Sequence, residues 1–150
     1  MFLLDTNVIS ELRRPDRADP NVLAWATSRH PDDLFLSAIT ILEIEIGVLA
    51  IARHDPAQAR IFRAWLEERI LPSFNGRILS VDVDVARRCA ELHVPDRRAE
   101  RDALIAATAL AHRLTMVTRN VSDFRSTGLD LVSPWDQCPR SVRRPKRSPP

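Results

Sequence analysis

Met1-Phe-Leu-Leu-Asp5-Thr-Asn-Val-Ile-Ser-Glu-Leu12 is the stretch of sequence that decides the fold. Four apolar residues stop at a carboxylate, and from Val8 onward apolar residues recur with helical spacing. This pattern predicts a strand at Phe2–Leu4 that ends at Asp5, where a helix begins. Ligands of open α/β sheets bind at the carboxyl ends of the strands. Two roles for Asp5 are therefore open: a cap of the helix, or a ligand to a hard cation such as Mg²⁺.

The rest of the chain alternates short apolar runs with helical patterns. Further strands are predicted at residues 34–39, 77–81, 115–118 and 129–132, and helices after Asp19-Pro20, from about Thr40, after Asp55-Pro56, from Asp82 or Asp84, and over Asp102 to Leu114. Strands that alternate with helices favour a parallel sheet of about five strands between two helical layers, a three-layer α/β/α sandwich. The helix over Asp102 to Leu114 is apolar nearly all round, so we expect it to be central.

The composition is that of a single soluble domain. The chain has 150 residues, of which 45% are hydrophobic, and no apolar stretch is long enough to cross a membrane. We expect one domain at residues 1–137, in the cytoplasm, because the N-terminus lacks an export signal. Cys89 and Cys138 form no CxxC pair, and the four histidines are scattered, which disfavours a zinc site.

The net charge of +2 comes from the last residues of the chain. Five of the 22 basic residues lie in residues 140–150, which contain no acid, so residues 1–139 carry 17 basic and 20 acidic residues, a net charge of −3. We expect the Pro- and Ser-rich segment at residues 138–150 to be a disordered tail. It either attracts nucleic acid electrostatically or is simply solvated.

Glu43 is the second candidate site residue. It follows Thr40 with the spacing Thr-x-x-Glu, which also matches a capping box at a helix start. Because the helix follows the second strand directly, its first turn is expected at the same sheet edge as Asp5. Gly47 lies one turn further on the same face, where a glycine makes sense if something packs closely against it. Glu45 lies on another face and is expected to be solvated.

Two more carboxylates complete the candidate site. Asp102 lies at the start of the central helix, where the helix dipole favours a carboxylate and where Asp is also a common cap. Thr118, Asn120 and Asp123 lie at and just past the end of the fourth strand, in a segment that is equally typical of a loop. Four acids at one sheet edge would repel one another unless a cation neutralised them. Oxygen ligands alone indicate Mg²⁺ or Mn²⁺.

Four motifs in this order resemble the PIN domain family. They are Leu4-Asp-Thr-Asn-Val-Ile-Ser-Glu11, Ser37-x-x-Thr40-x-x-Glu43-Ile44-x-x-Gly47, Arg101-Asp102-x-Leu104-Ile105-Ala106-Ala107-Thr108-Ala109 and Thr118-Arg119-Asn120-x-x-Asp123-Phe124. More narrowly, residues 1–135 resemble the VapC toxins of type II bacterial toxin–antitoxin systems, in the FitB-like subgroup. The resemblance implies a Mg²⁺-dependent ribonuclease that forms a homodimer and is inhibited by a VapB-type antitoxin.

The resemblance also implies roles for individual residues. Asp5, Glu43 and Asp102 match three acidic positions of the family. Many members carry the fourth acid where this chain has Asn120, so we expect Asp123 to take that role, with Asn120 and Thr118 as supporting polar groups. The expected reaction is attack of a metal-activated water on an RNA phosphodiester, which leaves a 5′-phosphate. Arg13 or Arg14 is expected to steer the RNA backbone.

Three other functions remain open from the sequence. The neutral Asn120 keeps open a PIN-like module that binds RNA or a partner without catalysis. A Mg²⁺-dependent phosphatase would normally carry a second Asp where Asn7 stands. A phosphoacceptor domain would need a lysine beside its acids, and the chain's lysine, Lys146, lies in the tail.

Overall fold

The computed structural model describes residues 1–136, so Cys138 and the predicted tail at residues 138–150 lie outside the described residues. The strands are β1 (Phe2–Leu4), β2 (Leu34–Ser37), β3 (Ile78–Leu79), β4 (Thr115–Val117) and β5 (Leu131–Val132). They form one parallel sheet in the order β3-β2-β1-β4-β5. The five-stranded parallel sheet predicted from the sequence is therefore confirmed.

Helices connect the strands. They are α1 (Thr6–Leu12), α2 (Pro20–Thr27), α3 (Ala38–Ala52), α4 (Pro56–Trp65), α5 (Leu71–Ser73), α6 (Val83–Leu92), α7 (Glu100–Ala111) and α8 (Val121–Phe124). A π-helical stretch at Leu66–Ile70 joins α4 to α5, and 3₁₀ turns occupy Pro31–Asp33, Arg125–Thr127 and Pro134–Asp136. Within residues 1–136, no helix is both long and apolar enough to span a membrane.

Two apolar clusters lie on opposite faces of the sheet. Leu4 belongs to the cluster that α1, α2 and α3 cover, whereas its neighbour Leu3 belongs to the cluster that α7 covers. Successive strand residues point to opposite faces, so β1 is apolar throughout because both of its faces are buried. Helix α7 carries Ile105 and Ala106, both fully buried, as expected for a central helix. These layers confirm the predicted α/β/α sandwich.

The strand order creates a topological switch point between β1 and β4. The chain runs from β1 outward to β2 and β3, then crosses to β4 and β5 on the other side of β1. Leu4 pairs with Val117, so the next residues, Asp5 and Thr118, lie level at the carboxyl edge of the sheet. Switch points are where open α/β sheets bind ligands. The fold therefore puts Asp5 where a ligand site is expected.

The structure corrects two predictions about the second strand and the helix after it. The strand ends at Ser37, whose hydroxyl caps α3 by accepting from the N–H of Ile39 at 3.1 Å. Helix α3 thus starts before Thr40, and the capping box of Thr40 and Glu43 does not exist. Thr40 instead lies fully buried inside the helix, and Glu43 is free to serve another purpose.

The environment of α3 corrects two further predictions. A Cβ atom at Gly47 would meet nothing within 4 Å among the described residues, so close packing within the chain does not explain this glycine. Glu45 is not simply a solvated side chain, because it forms an ion pair. Arg63 on α4 donates to both of its carboxylate oxygens, at 3.1 and 2.9 Å. Glu45 therefore ties α3 to α4 and is not available to the site.

Candidate active site

Asp5 is a buried carboxylate that accepts three hydrogen bonds. Its Oδ1 accepts from the N–H of Thr6 at 2.8 Å, and its Oδ2 accepts from Asn7 Nδ2 at 2.9 Å and from Thr118 Oγ1 at 2.7 Å. Only 6% of Asp5 is exposed, and Thr118 is fully buried. Asp5 therefore occupies the cap position of α1 and is also held rigidly at the switch point by side chains from both sides.

Burial raises the pKa of Asp5 above its ordinary value. The hydrogen bonds from Thr118 and Thr6 lower the pKa of Asp5, whereas the nearby charges of Asp102 and Glu43 raise it. The net direction is upward, because desolvation is the largest of these effects. An ionised Asp5 is thus an unfavourable charge unless something positive approaches it.

Glu43 projects from the second turn of α3 toward the start of α1. Its Oε2 accepts a hydrogen bond from Thr6 Oγ1, and its Oε1 lies 3.7 Å from Nη1 of Arg101. Thr6 therefore contacts both acids, with its N–H on Asp5 and its hydroxyl on Glu43. The two carboxylates belong to one hydrogen-bonded network.

Asp102 lies in the first turn of α7, two residues after the helix begins. Burial is the main cause that raises its pKa, and the charges of Glu43 and Asp123 raise the pKa further, while Arg101 lowers it. Asp102 is thus the central member of the group, because it repels the acids on either side of it. Asp102 lines one cavity with Asp123 and a second with Glu43, and the charges of Asp102 and Glu43 act on Asp5. We call these four carboxylates and the space between them the acid cleft.

Asp123 lies on the four-residue helix α8, in a segment whose residues are also typical of a loop. It lines a cavity of about 300 Å³ together with Asp102, whose pKa its charge helps to raise. Asn120 precedes α8 and donates its N–H to Thr118 Oγ1 at 3.1 Å. Asp123 is therefore next to Asp102, whereas Asn120 supports the Thr118 hydroxyl through its main chain.

The acids approach one another but do not form a ready-made cage. Within residues 1–136, no three Asp, Glu, His or Cys side chains stand close enough together to hold a metal ion. Asp5 and Glu43 are instead engaged by Thr6, Asn7 and Thr118. The chemistry of the donor set still fits a hard divalent cation, because all four groups offer carboxylate oxygens and repel one another. Binding an ion requires the carboxylates to converge.

Arg13 does not lie beside the acids. It lines a separate groove with Leu12 and Trp65, and its guanidinium stands 4.0 Å from the centre of the Phe62 ring. That groove shares no residue with the two cavities that Asp102 lines. The expectation that Arg13 steers substrate at the acid cleft is therefore not supported, and Arg101 is the arginine that contacts an acid there.

Several residues of the site were given no role from the sequence. Thr6 and Asn7 follow Asp5 directly, so their place after the first strand was a signal that they face the same edge. Arg119 donates its N–H to Asn7 Oδ1 at 3.2 Å, which ties the segment after β4 to the segment after β1. Arg101 stands next to Asp102 in the third motif, which was a signal for its place, whereas Arg98 carried no local signal because its contacts are with segments far along the chain.

The sequence matches the PIN domain family over residues 2–128. It is 42% identical over 145 residues to the VapC ribonuclease Y4jK of Sinorhizobium fredii, covering 91% of this chain and 99% of that protein. It is 40% identical over 141 residues to the toxin FitB of Neisseria gonorrhoeae, covering 90% and 99%. A chain in the crystal structure of FitAcB from the same organism aligns with a TM-score of 0.83 and 38% identity, covering 91% of this chain and all of that one.

Proposed function

The chain belongs to the PIN domain family, and from that premise we propose that it is the toxin of a type II toxin–antitoxin pair, a metal-dependent endoribonuclease. The observation that carries the proposal is the acid cleft, where Asp102 repels carboxylates on both sides of it. The cleft lies at the switch point of the sheet, in a chain 42% identical to a VapC ribonuclease.

The metal is Mg²⁺, with Mn²⁺ as an alternative, since both prefer oxygen ligands. Asp5, Asp102 and Asp123 would hold it, with Glu43 directly or through water. When bound, such a cation lowers the pKa of a water ligand and offsets charge on the phosphate. Asp5 is already oriented for this by Thr118 and Asn7, whose donors fix the direction of its oxygens.

The substrate is RNA, and the chain's own cations would bind its backbone. Arg101 is half exposed and pairs loosely with Glu43, at 3.7 Å, so it can exchange that carboxylate for a phosphate. It also lines a groove of about 720 Å³ that runs from Glu43 to Asp102. Neither cavity beside Asp102 is lined by a histidine, so a histidine acid–base pair has no support.

The inhibitor is a VapB-type antitoxin. An accessible group of carboxylates attracts arginine, which can pair with a carboxylate through two parallel hydrogen bonds. We expect an antitoxin segment to put such a residue into the acid cleft and to compete with the metal. A purified complex with the antitoxin is therefore expected to lack RNase activity until the antitoxin is removed. Full activity in the intact complex would contradict this.

The protein is a cytoplasmic homodimer in this proposal. Helix α3 exposes three apolar side chains at helical spacing, with 44–60% of each accessible: Leu42, Ile46 and Leu49. The same helix carries Gly47, where a Cβ atom would meet nothing within 4 Å among the described residues. Apolar surface of this kind marks protein contacts. Sedimentation of the wild type is expected to give the mass of two chains, and Leu49→Glu is expected to shift it toward one.

The test of the function is cleavage of RNA by the purified chain. Wild type is expected to cut RNA with Mg²⁺ and not with EDTA, and Asp5→Asn is expected to be inactive. Glu45→Gln is the matched control, because Glu45 lies on α3 near Glu43 but pairs with Arg63 away from the cleft. Equal activity of wild type and Asp5→Asn would reject the proposal.

The same assay separates the other functions. RNA binding without turnover at any Mg²⁺ concentration would favour a PIN-like binding module. Hydrolysis of a small phosphate ester without RNA cleavage would favour a phosphatase.

A further inference from the structure

Arg98 joins three segments of the chain at the edge of the acid cleft. Its Nε donates to the carbonyl oxygen of Leu92 at the end of α6, at 3.0 Å, and its Nη1 donates to the carbonyl oxygen of Asp123 on α8, at 3.2 Å. Its Nη2 donates to Ser126 Oγ, in the turn after α8. The N–H of Arg98 donates to His93 Nδ1 at 3.2 Å. The guanidinium therefore spends three of its five donors on fixed acceptors within the chain.

Asp123 has little else to fix its position. Its helix is four residues long, and among the hydrogen bonds of residues 1–136 its carboxylate accepts only from the adjacent Ser122, at 3.4 Å. Phe124 anchors the helix in the core, with 3% of its surface exposed, but its apolar contacts do not fix a direction. Within residues 1–136, the hydrogen bond that links Asp123 to another segment comes from Arg98, which donates to the Asp123 carbonyl oxygen.

The position of Arg98 in the chain also connects Asp123 to Asp102. Arg98 lies in the loop that leads directly into α7, whose first turn carries Asp102. Arg98, Asp102 and Asp123 line the same cavity of about 300 Å³. One side chain thus links the segment that carries Asp123 to the segment that begins the helix of Asp102. The link holds the main chain of Asp123 against the segment that leads to Asp102.

We propose that Arg98 is a positioning residue that holds Asp123 opposite Asp102, so that both carboxylates serve one divalent cation. This inference rests on the proposed function. Partners that orient metal ligands typically contribute about 10- to 100-fold to metal affinity. A direct contact of Arg98 with RNA phosphate is the competing role, and its three occupied donors speak against it.

The experiment measures Mg²⁺ and Mn²⁺ affinity of the RNA-free protein by calorimetry in a double-mutant cycle. Arg98→Met and Asp123→Asn are each expected to weaken binding about tenfold. The double variant is expected to be no weaker than the worse single variant, because Arg98 acts through Asp123. Arg97→Met is the matched control, because Arg97 is the exposed neighbour of Arg98 and carries the same charge. This variant is expected to bind the metal as the wild type does.

Two further variants keep the test decisive if Arg98→Met folds poorly. Arg98→Lys, which keeps the charge but has a single donor nitrogen, is expected to recover part of the lost affinity. Ser126→Ala removes one acceptor of Arg98 and is expected to weaken binding about twofold to fivefold, with no loss in the Asp123→Asn background. The dependence of RNA cleavage on salt is expected to be unchanged in Arg98→Met, because no phosphate contact is lost.

The outcomes separate this inference from the function it rests on. Three results would overturn the positioning role while the wild type still binds metal and cleaves RNA. The first is a loss of affinity in the double variant equal to the product of the two single losses. The others are unchanged affinity in Arg98→Met or Asp123→Asn, and a lower salt dependence of cleavage in Arg98→Met. A wild type that neither binds the metal nor cleaves RNA would overturn the proposed function itself.

Discussion

Asp5 and Asp123 are two acids of the acid cleft, and the chain holds them in opposite ways. Asp5 is buried and accepts three hydrogen bonds from Thr6, Asn7 and Thr118. Asp123 is exposed on a four-residue helix, and its carboxylate accepts only from its neighbour within residues 1–136. One half of the cleft is therefore built in advance, whereas the other half depends on how a short segment is docked.

The difference follows from the cost of burying charge. A carboxylate removed from water needs donors around it, and Asp5 receives them but still has a raised pKa. Asp123 stays in water and needs no such shell. Asp102 is affected by the charge of Asp123, and Asp5 by the charge of Asp102. A divalent cation would stabilise such a group, because it offsets the repulsion and can draw the exposed Asp123 toward the buried Asp5.

Neutralising Asp5 is expected to have the largest effect on activity. Asp5→Asn is expected to lower RNA cleavage at least about 10³-fold, because the rigid half of the cleft loses its charge. Asp123→Asn is expected to lose less, about 10- to 100-fold, because the exposed half is easier to replace by water. Single-turnover rates at saturating Mg²⁺ measure both. A larger loss in Asp123→Asn than in Asp5→Asn would reverse the comparison between the two halves.

Removing a donor from Asp5 is expected to have the next largest effect. Thr118→Val keeps the shape of the side chain but deletes the hydroxyl that donates to Asp5 Oδ2 at 2.7 Å. Mg²⁺ affinity is expected to fall about 10- to 100-fold, and the pKa of Asp5 is expected to rise further, so the acid limb of the pH profile moves up. Ser122→Ala, the corresponding change beside Asp123, is the control with little expected effect. Wild-type affinity in Thr118→Val would show that Asp5 needs no orientation.

Arg101 is expected to contribute a smaller effect that depends on salt. Arg101→Gln is expected to lower kcat/KM about fivefold and to reduce the slope of its logarithm against the logarithm of salt concentration by about one, the value for one phosphate contact. Arg88→Gln is the control, because Arg88 pairs with Asp84 on α6. An unchanged slope in Arg101→Gln would remove Arg101 from the RNA-binding surface.

The smallest expected effect is on stability without metal. The folded-state pKa of Asp5 is raised, so Asp5 favours folding below its unfolded pKa and loses that contribution as the pH rises through the folded value. Asn imitates the protonated form, so metal-free Asp5→Asn is expected to melt a few degrees higher than wild type at pH 7. The gain is expected to shrink as the pH is lowered toward 4. A lower melting temperature for Asp5→Asn at pH 7 would mean that burying the ionised carboxylate does not destabilise the fold.

Local patterns predicted the rigid half of the site better than the other half. The apolar run before Asp5 made the strand, the helix start and the sheet edge readable from a few neighbouring residues. Asp123 lies on a short helix whose residues are also ordinary loop residues, so its place depends on Phe124 reaching the core and on Arg98. Contacts between segments far apart in the chain leave no local signal, and Arg98 was missed for that reason. Arg101 was visible in the motif beside Asp102, but its contact with Glu43 was not.

The structure does not support the prediction that Arg13 acts at the acid cleft, for a related reason. Arg13 follows the first helix closely in sequence, but α1 begins at the acid cleft and runs away from it. The guanidinium therefore ends over the Phe62 ring, in a groove that shares no residue with the cavities at Asp102. Nearness in sequence predicts nearness in space only across about one helical turn, which covers Thr6 and Asn7 but not Arg13.

A crystal structure of the protein soaked with Mn²⁺ tests most directly whether four acids from four segments form one metal site. An anomalous peak is expected in the acid cleft, with oxygens of Asp5 and Asp102 about 2 Å from it and Asp123 moved toward it. The same soak of Asp5→Asn is expected to show no peak there. A wild-type cleft without a peak at saturating Mn²⁺, or a peak that touches neither Asp5 nor Asp102, would contradict the metal site.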